Sequence, residues 1–353
     1  MKVTFILPIR NEEEYIENTI KSIINQSSNE EKELIFADGM SNDNTRIIIK
    51  KYQEIYPYLQ IIDNPENIVS TGFNRALSIS KGDIIIRVDG HSKIDYDFVK
   101  NCLKILKDKN VDCVGGPTKH IGNGLIGDSI KIAQSSIFGS GGVSFRATIT
   151  KGEYVDTLAF GAYKRKVFSS IGGYDEELIR NQDDEFNFRL NQTGSKIWLD
   201  PSIQSYYYTR NSFFKLFKQY FQYGFYKMRV VQKRRGFASW RHLVPGIFTL
   251  FLSISFVSFL NSWNTWFFYF ISGSYLIANI ISAIYELAKG FTSEADVSIK
   301  PFILLPFTFL ILHLAYGLGF LIGFIYFINK WKDIQLIDNY FDKEKFNNNI
   351  IIT

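Results

Sequence analysis

The sequence predicts an α/β domain with a mostly parallel sheet flanked by helices, followed by C-terminal transmembrane helices. Through the first hundred residues, short β-branched runs alternate with longer amphipathic segments, which is the pattern of βαβ units. Charged residues then become rare from residue 243 to residue 328. Eight cationic residues and no acidic ones lie between Lys215 and Arg241, just before that apolar region. At 353 residues, the chain is long enough for one large domain with additional segments.

Four strands and four helices are predicted in the first part of the chain, and ligands of such sheets bind beyond the carboxyl ends of the strands. The strands cover residues 3–7, 33–37, 59–62 and 83–88, and the helices cover 12–25, 43–56, 70–80 and 95–107. Residues 115–152 are rich in glycine and serine and predict a long loop region over the site. A flexible lid and an ordinary irregular segment explain that composition equally well.

Four regions are predicted along the chain. They are a cytoplasmic α/β domain at 1–210, a basic amphipathic interfacial helix at 211–240, about three membrane spans within 241–330 and a polar tail at 331–353. Apolar stretches at 243–260, 266–288 and 302–328 supply the spans, since about 20 residues cross the hydrocarbon core. The cations before the first stretch place the α/β domain inside by the positive-inside rule. Three spans would place the tail outside, yet Lys330 and Lys332 flank the last stretch, so the number of spans stays open.

Other features of the composition agree with a cytoplasmic α/β domain at the cell membrane. The two cysteines have neither metal-ligand spacing nor the pattern of a disulfide framework, which fits a reducing compartment. The amino terminus has no signal-peptide pattern, because a short strand-like run ends at Pro8. A net charge of +5 is too small to indicate nucleic acid as a partner.

Polar side chains follow three of the predicted strands. The segments are Pro8-Ile9-Arg10-Asn11-Glu12, Asp38-Gly39-Met40-Ser41-Asn42-Asp43 and Asp89-Gly90-His91. Each alone is weak, because Asp-Gly is common in turns and Asp43 could cap a helix. Together they place carboxylates at one edge of the sheet. Asp89 and His91 suit Mg²⁺ or Mn²⁺ that phosphate oxygens also hold, an ion that neutralises a diphosphate leaving group.

This ordered set of motifs resembles inverting family 2 glycosyltransferases of the GT-A fold. The resemblance covers about residues 2–230 and continues through Phe160-Gly161-Ala162-Tyr163, Ile171-Gly172-Gly173-Tyr174-Asp175-Glu176 and Asn181-Gln182-Asp183-Asp184-Glu185. It is strongest to the membrane-anchored branch that includes succinoglycan-type exopolysaccharide glucosyltransferases. Two departures stand out. The family's metal motif usually ends in Asp where this chain has His91, and its Glu-Asp base motif is Gln182-Asp183 here if Arg189 anchors the alignment.

The resemblance implies Asp183 as the general base, with Asp184 as the fallback. Both acids lie in the first turn of a predicted helix at 183–192, where complementing the helix dipole is the alternative role. Residues expected to bind the nucleotide-sugar are Pro8, Arg10, Asn11, Glu12, Asp38, Arg75 and Asp89, and those expected to hold metal are Asp89 and His91. Residues expected on the acceptor side are Gly161, Tyr163, Arg210 and Gln219. Arg75 could equally be a solvated surface residue.

The predicted activity is transfer of a single sugar from a nucleotide-sugar, UDP-linked by resemblance, to a polyprenyl-linked glycan or a surface polysaccharide. Direct transfer to polyprenyl phosphate and processive polymerisation are the enzymatic alternatives. Processive synthases carry Gln-x-x-Arg-Trp where this chain has Gln219, followed by Gln222 and Tyr223 at the Arg and Trp positions. An inactive membrane scaffold is the alternative from another class. A nicotinamide oxidoreductase is disfavoured, because no Gly-x-Gly-x-x-Gly turn follows the first strand.

Overall fold

The computed structural model describes residues 1–142, 149–236, 240–293 and 298–349. The gaps fall within the predicted 115–152 loop, the 211–240 segment, the 241–330 segment and the 331–353 tail, so those parts of the predictions lie outside the described residues. The chain divides into two compact units. The first comprises Met1–Lys119, Thr148–Tyr207 and Gln335–Thr353, and the second comprises His120–Ala147 and Tyr208–Ile334.

The first unit is built on an eight-stranded sheet with the order β3-β2-β1-β4-β9-β6-β10-β8. Its strands are β1 Lys2–Ile9, β2 Glu31–Asp38, β3 Leu59–Asp63, β4 Ile84–Arg87, β6 Cys113–Gly115, β8 Glu153–Val155, β9 Ala162–Lys164 and β10 Ile197–Leu199. Strands β1 to β4 pair in parallel, whereas β9 runs antiparallel between β4 and β6. A second sheet has the order β5-β11-β7, formed by β5 Ser92–Ile94, β11 Ser205–Tyr208 and β7 Thr118–Ile121. The predicted mostly parallel α/β sheet is confirmed.

Helices cover both faces of the large sheet, so its central strands are mostly apolar. In β1, Phe5 and Leu7 pack into one core and Ile6 packs into the other, because alternate strand residues point to opposite faces. The helices of this unit are α1 Ile16–Ile24, α2 Thr45–Ile55, α3 Val69–Ile79, α4 Phe98–Asp108, α7 Arg165–Ile171, α8 Gln182–Gln192 and α14 Lys343–Asn348.

The second unit is helical in the part that the structure describes. It contains α5 Gly124–Ser135, α6 Ile137–Ser140, α9 Phe213–Arg234, α10 Val244–Leu260, α11 Thr265–Ser293, α12 Lys300–Ile303 and α13 Leu305–Tyr326. Three of its segments are long and apolar enough to cross a membrane, namely Trp240–Leu260, Thr265–Phe291 and Leu305–Tyr326. The predicted third stretch is divided near Leu304, and Pro306 follows at the start of α13.

The prediction of a loop throughout 115–152 was wrong for the strand β7 and for the helices α5 and α6. Ile130 and Ala133 of α5 are fully buried with Leu216 and Leu312 in the core of the second unit. The apolar positions of α5 are helically spaced, but the surrounding glycines and serines hide this pattern in the sequence.

The C-terminal tail belongs to the first unit rather than forming a separate segment. The Phe346 side chain is fully buried, and the Arg165 guanidinium lies 3.6 Å from its ring centroid. The Tyr340 amide donates to Glu176 Oε1 at 3.0 Å, and the Asp342 amide donates to Ser78 Oγ at 3.0 Å. Asparagine, lysine and aspartate supply ten of the 23 residues at 331–353 and conceal the two anchoring phenylalanines, Phe341 and Phe346.

Candidate active site

The loops that follow β1 and β2 are fastened to each other by reciprocal hydrogen bonds. The Asn11 amide donates to Ser41 Oγ at 2.9 Å, and the Asn42 amide donates to Asn11 Oδ1 at 3.0 Å. Asn11 and Met40 both have φ of 54°, a backbone conformation that is uncommon outside glycine. Such conformations persist where surrounding bonds fix them, which is typical of functional sites. Two strand ends that the sequence predicted as binding segments therefore form one rigid platform.

The Asp38 carboxylate is fully buried beneath this platform. It accepts hydrogen bonds from the amide and hydroxyl of Ser41 and lies 2.8 Å from the Arg46 guanidinium. Arg46 also pairs with Asp63 at 2.7 Å, on the adjacent strand. In this structure Asp38 holds its own turn, while its predicted contact with the nucleotide stays a prediction. Pro8 is buried within β1, and Arg10 is exposed at its end.

Glu12 and His91 join the end of β1 to the segment after β4. Glu12 Oε1 lies 2.8 Å from His91 Nδ1, and both side chains are largely buried. A side chain at Gly90 would place its Cβ 2.8 Å from Glu12 Cγ, so the pair needs glycine at this position. Among the described residues, the buried His91 Nε2 atom has no hydrogen-bond partner. Metal-binding histidines commonly bond a carboxylate through one ring nitrogen and leave the other for the ion.

Arg87 connects Asp89, the predicted metal ligand, with Asp183, the predicted base. Its guanidinium lies 2.8 Å from Asp89 Oδ1 and 3.7 Å from Asp183 Oδ2. Arg87 is the last residue of β4 and is 7% exposed, while Asp183 lies in the first turn of α8. A buried cation between them brings the predicted metal ligand and the predicted base into one site.

The electrostatics of this cluster follow from burial and from the opposite charges. Burial disfavours the charged form of Arg87, but Asp89, Tyr174 and Asp183 outweigh it and hold the pKa of the guanidinium well above its usual value. Burial likewise opposes ionisation of Asp89, but the charges of Arg87 and His91 lower the pKa of that carboxyl. Asp89 is therefore ionised at neutral pH.

The start of α8 positions Asp183. Asn181 precedes the helix with φ of 62°, and Asp183 Oδ1 accepts from the Asp184 amide at 2.9 Å. Arg189, in the last turn of α8, pairs with Glu185 and donates to the Gly173 carbonyl at 2.7 Å. The Arg189 bonds attach α8 to the Gly172-Gly173 turn. The helix that carries the predicted base is therefore held in place both at its first turn and near its C-terminal end.

Arg75 lies in a different environment from the one expected of a phosphate ligand. Its guanidinium pairs with Glu66 at 2.8 Å and stacks on the Tyr340 ring at 3.7 Å. The neighbouring Asn74 is fully buried and bonds Tyr174 and Glu176 instead, fixing the loop that precedes α8. These contacts give the predicted phosphate role of Arg75 no support.

The predicted acceptor residues are not brought together in one unit. Tyr163 is 2% exposed and donates its hydroxyl to Asn187 Oδ1 at 2.9 Å, while a Cβ at Gly161 would lie 2.4 Å from the Tyr163 ring. Both therefore have packing roles within the first unit. Arg210 and Gln219 belong to the second unit, where Gln219 donates to the Tyr223 hydroxyl at 3.3 Å.

Arg87 is the residue that the sequence interpretation missed. A charged residue at the end of an otherwise apolar strand is costly to bury without a partner. The position of Arg87, just before the Asp89-Gly90-His91 segment, was the feature of the sequence that could have indicated its role in the site. The bridge itself links residues 96 positions apart, so no local pattern contains it.

Comparison with known proteins gives a consistent result. Residues 4–172 match the family model of Glycosyl transferase family 2. A Methanococcus voltae enzyme, dolichyl N-acetyl-α-D-glucosaminyl phosphate 3-β-D-2,3-diacetamido-2,3-dideoxy-β-D-glucuronosyltransferase, is 30% identical over 333 residues, covering 92% of this chain and 97% of that protein. Succinoglycan biosynthesis protein ExoA of Rhizobium meliloti is 29% identical over 242 residues, covering 68% of this chain and 73% of that protein.

A solved structure shows the same fold. The mannosyltransferase PcManGT from Pyrobaculum calidifontis, in complex with GDP-Man and Mn²⁺, superimposes with a TM-score of 0.54 at 18% identity, covering 90% of this chain and 86% of that one. The resemblance inferred from the strand-end motifs is confirmed. The chain belongs to glycosyl transferase family 2 and is a glycosyltransferase of the GT-A fold.

Proposed function

We propose that this protein transfers one sugar, with inversion, from a UDP-sugar to a lipid-linked glycan at the cytoplasmic face of the cell membrane. The observation that carries the proposal is the Arg87 guanidinium in contact with both Asp89 and Asp183. The acceptor class is supported by the Methanococcus voltae relative, whose name specifies a dolichyl phosphate-linked sugar. The name of the Rhizobium meliloti relative supports a role in polysaccharide synthesis.

The proposed chemistry is a single displacement. Asp183 accepts the proton of the acceptor hydroxyl as that oxygen forms its bond to the sugar C1. The bond between C1 and the diphosphate oxygen breaks at the opposite face, so the configuration at C1 inverts. Arg87 contacts both the Asp89 and the Asp183 carboxylates and so holds the proposed metal ligand and the proposed base at a fixed spacing, as positioning of catalytic groups requires.

Asp89 and His91 Nε2 would hold Mg²⁺ or Mn²⁺. When bound, the ion neutralises negative charge on the departing diphosphate. Among the described residues, no group of three or more His, Cys, Asp and Glu side chains could hold a metal ion. The protein would therefore supply two ligands here, and the donor phosphates would supply others. This fits an ion that binds together with the donor.

Membrane attachment is supported by the composition of the second unit. Lys215 and Lys218 are exposed on the first turns of α9, next to the exposed Phe214 and Phe217. Cations beside exposed aromatic side chains are typical of helices that bind anionic headgroups. The apolar helices α10 and α11 then provide the membrane-embedded part.

The test is sugar transfer by the detergent-purified protein with a panel of UDP-, GDP- and dTDP-sugars, with and without Mn²⁺. Native membrane lipids serve as acceptor, and donor affinity is measured separately by calorimetry. Asp183→Asn is expected to lower turnover by about 10²- to 10⁴-fold while retaining donor affinity. Asp184→Asn is the matched control and is expected to retain turnover. The reverse pattern would move the base to Asp184, and no donor binding would contradict the proposal.

Analysis of the lipid products separates the remaining acceptors. Addition of one sugar to a lipid that already carries sugar is the expected result. A product with a single sugar on polyprenyl phosphate would replace the proposed acceptor with the bare lipid. A ladder of products would replace single transfer with processive synthesis.

A further inference from the structure

The chain segments before and after the apolar helices belong to the same unit of the protein. The first unit, which contains the candidate active site and is called the catalytic unit from here on, ends at Tyr207 before these helices and resumes at Gln335 after them. The tail is firmly held there, since Phe346 is fully buried and the Glu176 amide donates to the Ile337 carbonyl. A folded domain cannot be divided between two sides of a membrane. The chain between these points must therefore cross a membrane an even number of times, although three helices in its described part are long enough to cross.

Helix α13 pairs with α9 along its whole length, and the two helices run in the same direction. Near their starts, Phe213 and Phe307 are in ring contact, with centroids 5.1 Å apart. In the middle, a Cβ at Gly224 would lie 2.0 Å from the Tyr316 carbonyl oxygen, so the backbones touch. Near their ends, Gln232 Nε2 donates to the Phe327 carbonyl at 2.6 Å. The two helices therefore share one depth relative to any membrane.

Helix α9 cannot lie in the hydrocarbon core. It carries cations in both halves, namely Lys215, Lys218, Lys227, Arg229, Lys233 and Arg234. Its longest stretch without a cation, residues 219–226, is eight residues long, whereas about 20 apolar residues are needed to cross the hydrocarbon core. Arg229 instead pairs with Asp333 at 3.2 Å, just beyond α13. Because α13 is fixed alongside α9, it does not cross either.

Helices α10 and α11 form the remaining pair and have the properties of a membrane hairpin. No Asp, Glu, Lys or Arg occurs in residues 242–285. Phe256 and Phe259 contact Phe268 across the hairpin, with ring centroids 5.7 and 5.1 Å apart. Only 17% and 11% of the 18-residue apolar stretches of these two helices are buried within the protein, against 44% for α13. The exposed Trp263 lies at the turn, where an interfacial aromatic residue is expected.

Helix α13 contacts the hairpin at the end away from the turn between α10 and α11. Gly317 of α13 lies against Thr249 and the Pro245 carbonyl at the start of α10. His313 bonds the Tyr275 hydroxyl at 2.9 Å, and Asn279 donates to the Pro306 carbonyl at 3.0 Å, both in the middle of α11. This arrangement leaves the turn-proximal half of the hairpin to project beyond α13.

We propose that the chain crosses the membrane twice, through the α10–α11 hairpin, and that α13 lies along the cytoplasmic membrane surface beside α9. One face of α13 is then covered by α9, while its exposed Ile322, Phe324 and Ile325 face the lipid. The arrangement returns the tail to the catalytic unit on the side from which the chain entered. It rests on the membrane attachment proposed above and specifies which helices cross.

Single-cysteine labelling tests this arrangement in the full-length protein. The native Cys102 and Cys113 are both buried, which makes them poor targets for a thiol reagent. Cysteine is introduced at four exposed positions, namely Lys50→Cys in α2, Ser262→Cys in the hairpin turn, Ser298→Cys before α12 and Lys332→Cys after α13. A membrane-impermeant maleimide is applied to intact cells and to inside-out vesicles, with detergent-solubilised protein as the control for full labelling.

Lys50→Cys, Ser298→Cys and Lys332→Cys are expected to label only in inside-out vesicles, and Ser262→Cys only in intact cells. Labelling of Ser298→Cys and Lys332→Cys from opposite sides would show that α13 crosses and would overturn the proposal. Labelling of Ser262→Cys from the same side as Lys50→Cys would show that the hairpin does not cross, with the same consequence. Recovery of the chain in the soluble fraction would instead contradict membrane attachment itself.

Discussion

The strand-end loops of the catalytic unit bury polar side chains, whereas the α10–α11 hairpin exposes apolar ones. Around the active site, Arg87, Asp38 and Asn74 are buried and each is held by defined polar partners. Along the hairpin, Ile254 and Ile281 are 50% and 61% exposed. In the first region, polar side chains are removed from water, so each buried charge needs a counter-charge. In the second region, large apolar side chains are exposed, which indicates that they face lipid and not water.

The largest expected effect comes from removing the cation of the active-site cluster. Arg87→Ala leaves Asp89 and Asp183 without their shared partner and is expected to lower the free energy of unfolding by about 3 kcal/mol, as breaking a buried ion pair does. Transfer activity should fall with it. Arg87→Lys is the matched variant, and it should recover part of the stability because the charge remains. Equal stability of Arg87→Ala and wild type in detergent would contradict the bridge.

The same variant should also change the response to acid. In the wild type the pKa of Asp89 is lowered, so its ionisation stabilises the fold above the ordinary pKa of about 3.9 and this stability is lost as the pH falls through the lowered value. Without Arg87, burial still opposes ionisation of Asp89 and the largest compensating charge is gone, so the pKa of Asp89 should rise relative to the wild type. The loss of stability caused by Arg87→Ala should therefore be smaller at acidic pH than at pH 7, which thermal unfolding of both proteins across that range would detect.

Phe346→Ala tests whether the tail is part of the catalytic unit. Phe346 is fully buried against Phe341 and Arg165, so truncation is expected to cost about 3 kcal/mol. The released tail should also become sensitive to protease. Lys343→Ala, at an exposed position of the same helix, is the control and should change neither property. A stable, protease-resistant Phe346→Ala protein would contradict the docking of the tail.

A matched pair of isoleucines tests the contrast between water and lipid directly. Ile254 in α10 is 50% exposed, and Ile47 in α2 is 55% exposed. Ile47→Lys should change stability by no more than about 0.5 kcal/mol. Ile254→Lys should cost about 2.5 kcal/mol in a bilayer, seen as reduced membrane insertion. Equal tolerance of both substitutions would place α10 outside the membrane.

The smallest effect is expected at Glu176, where the tail meets the loop before α8. Burial raises the pKa of this carboxyl, although Asn74 and the Tyr340 amide donate to it. Its ionisation therefore weakens the fold above its ordinary pKa of about 4.3 and has no such effect below it. Glu176→Gln should raise stability at pH 7 by less than about 1 kcal/mol, and the difference should vanish near pH 4.

The sequence predicted best those elements whose pattern is local. The strand expected at 83–88 is β4, and the helix expected at 183–192 is α8, because a short apolar strand and a helix with regularly spaced apolar residues are each encoded by neighbouring residues. The three-residue strands β5 and β8 were missed because so short a run has no measurable periodicity. The site was predicted as separate motifs, whereas the Arg87 bridge requires β4 and α8 to meet. The docking of the tail is equally non-local.

The central claim is a single displacement at C1 in which Asp183 takes the acceptor proton. Its most direct test is the anomeric configuration of the product formed by the purified enzyme, determined by NMR against that of the donor. The account predicts the configuration opposite to the donor's in the wild type. A product with the donor's configuration would contradict it, because retention requires two displacements or a mechanism without an Asp183 base.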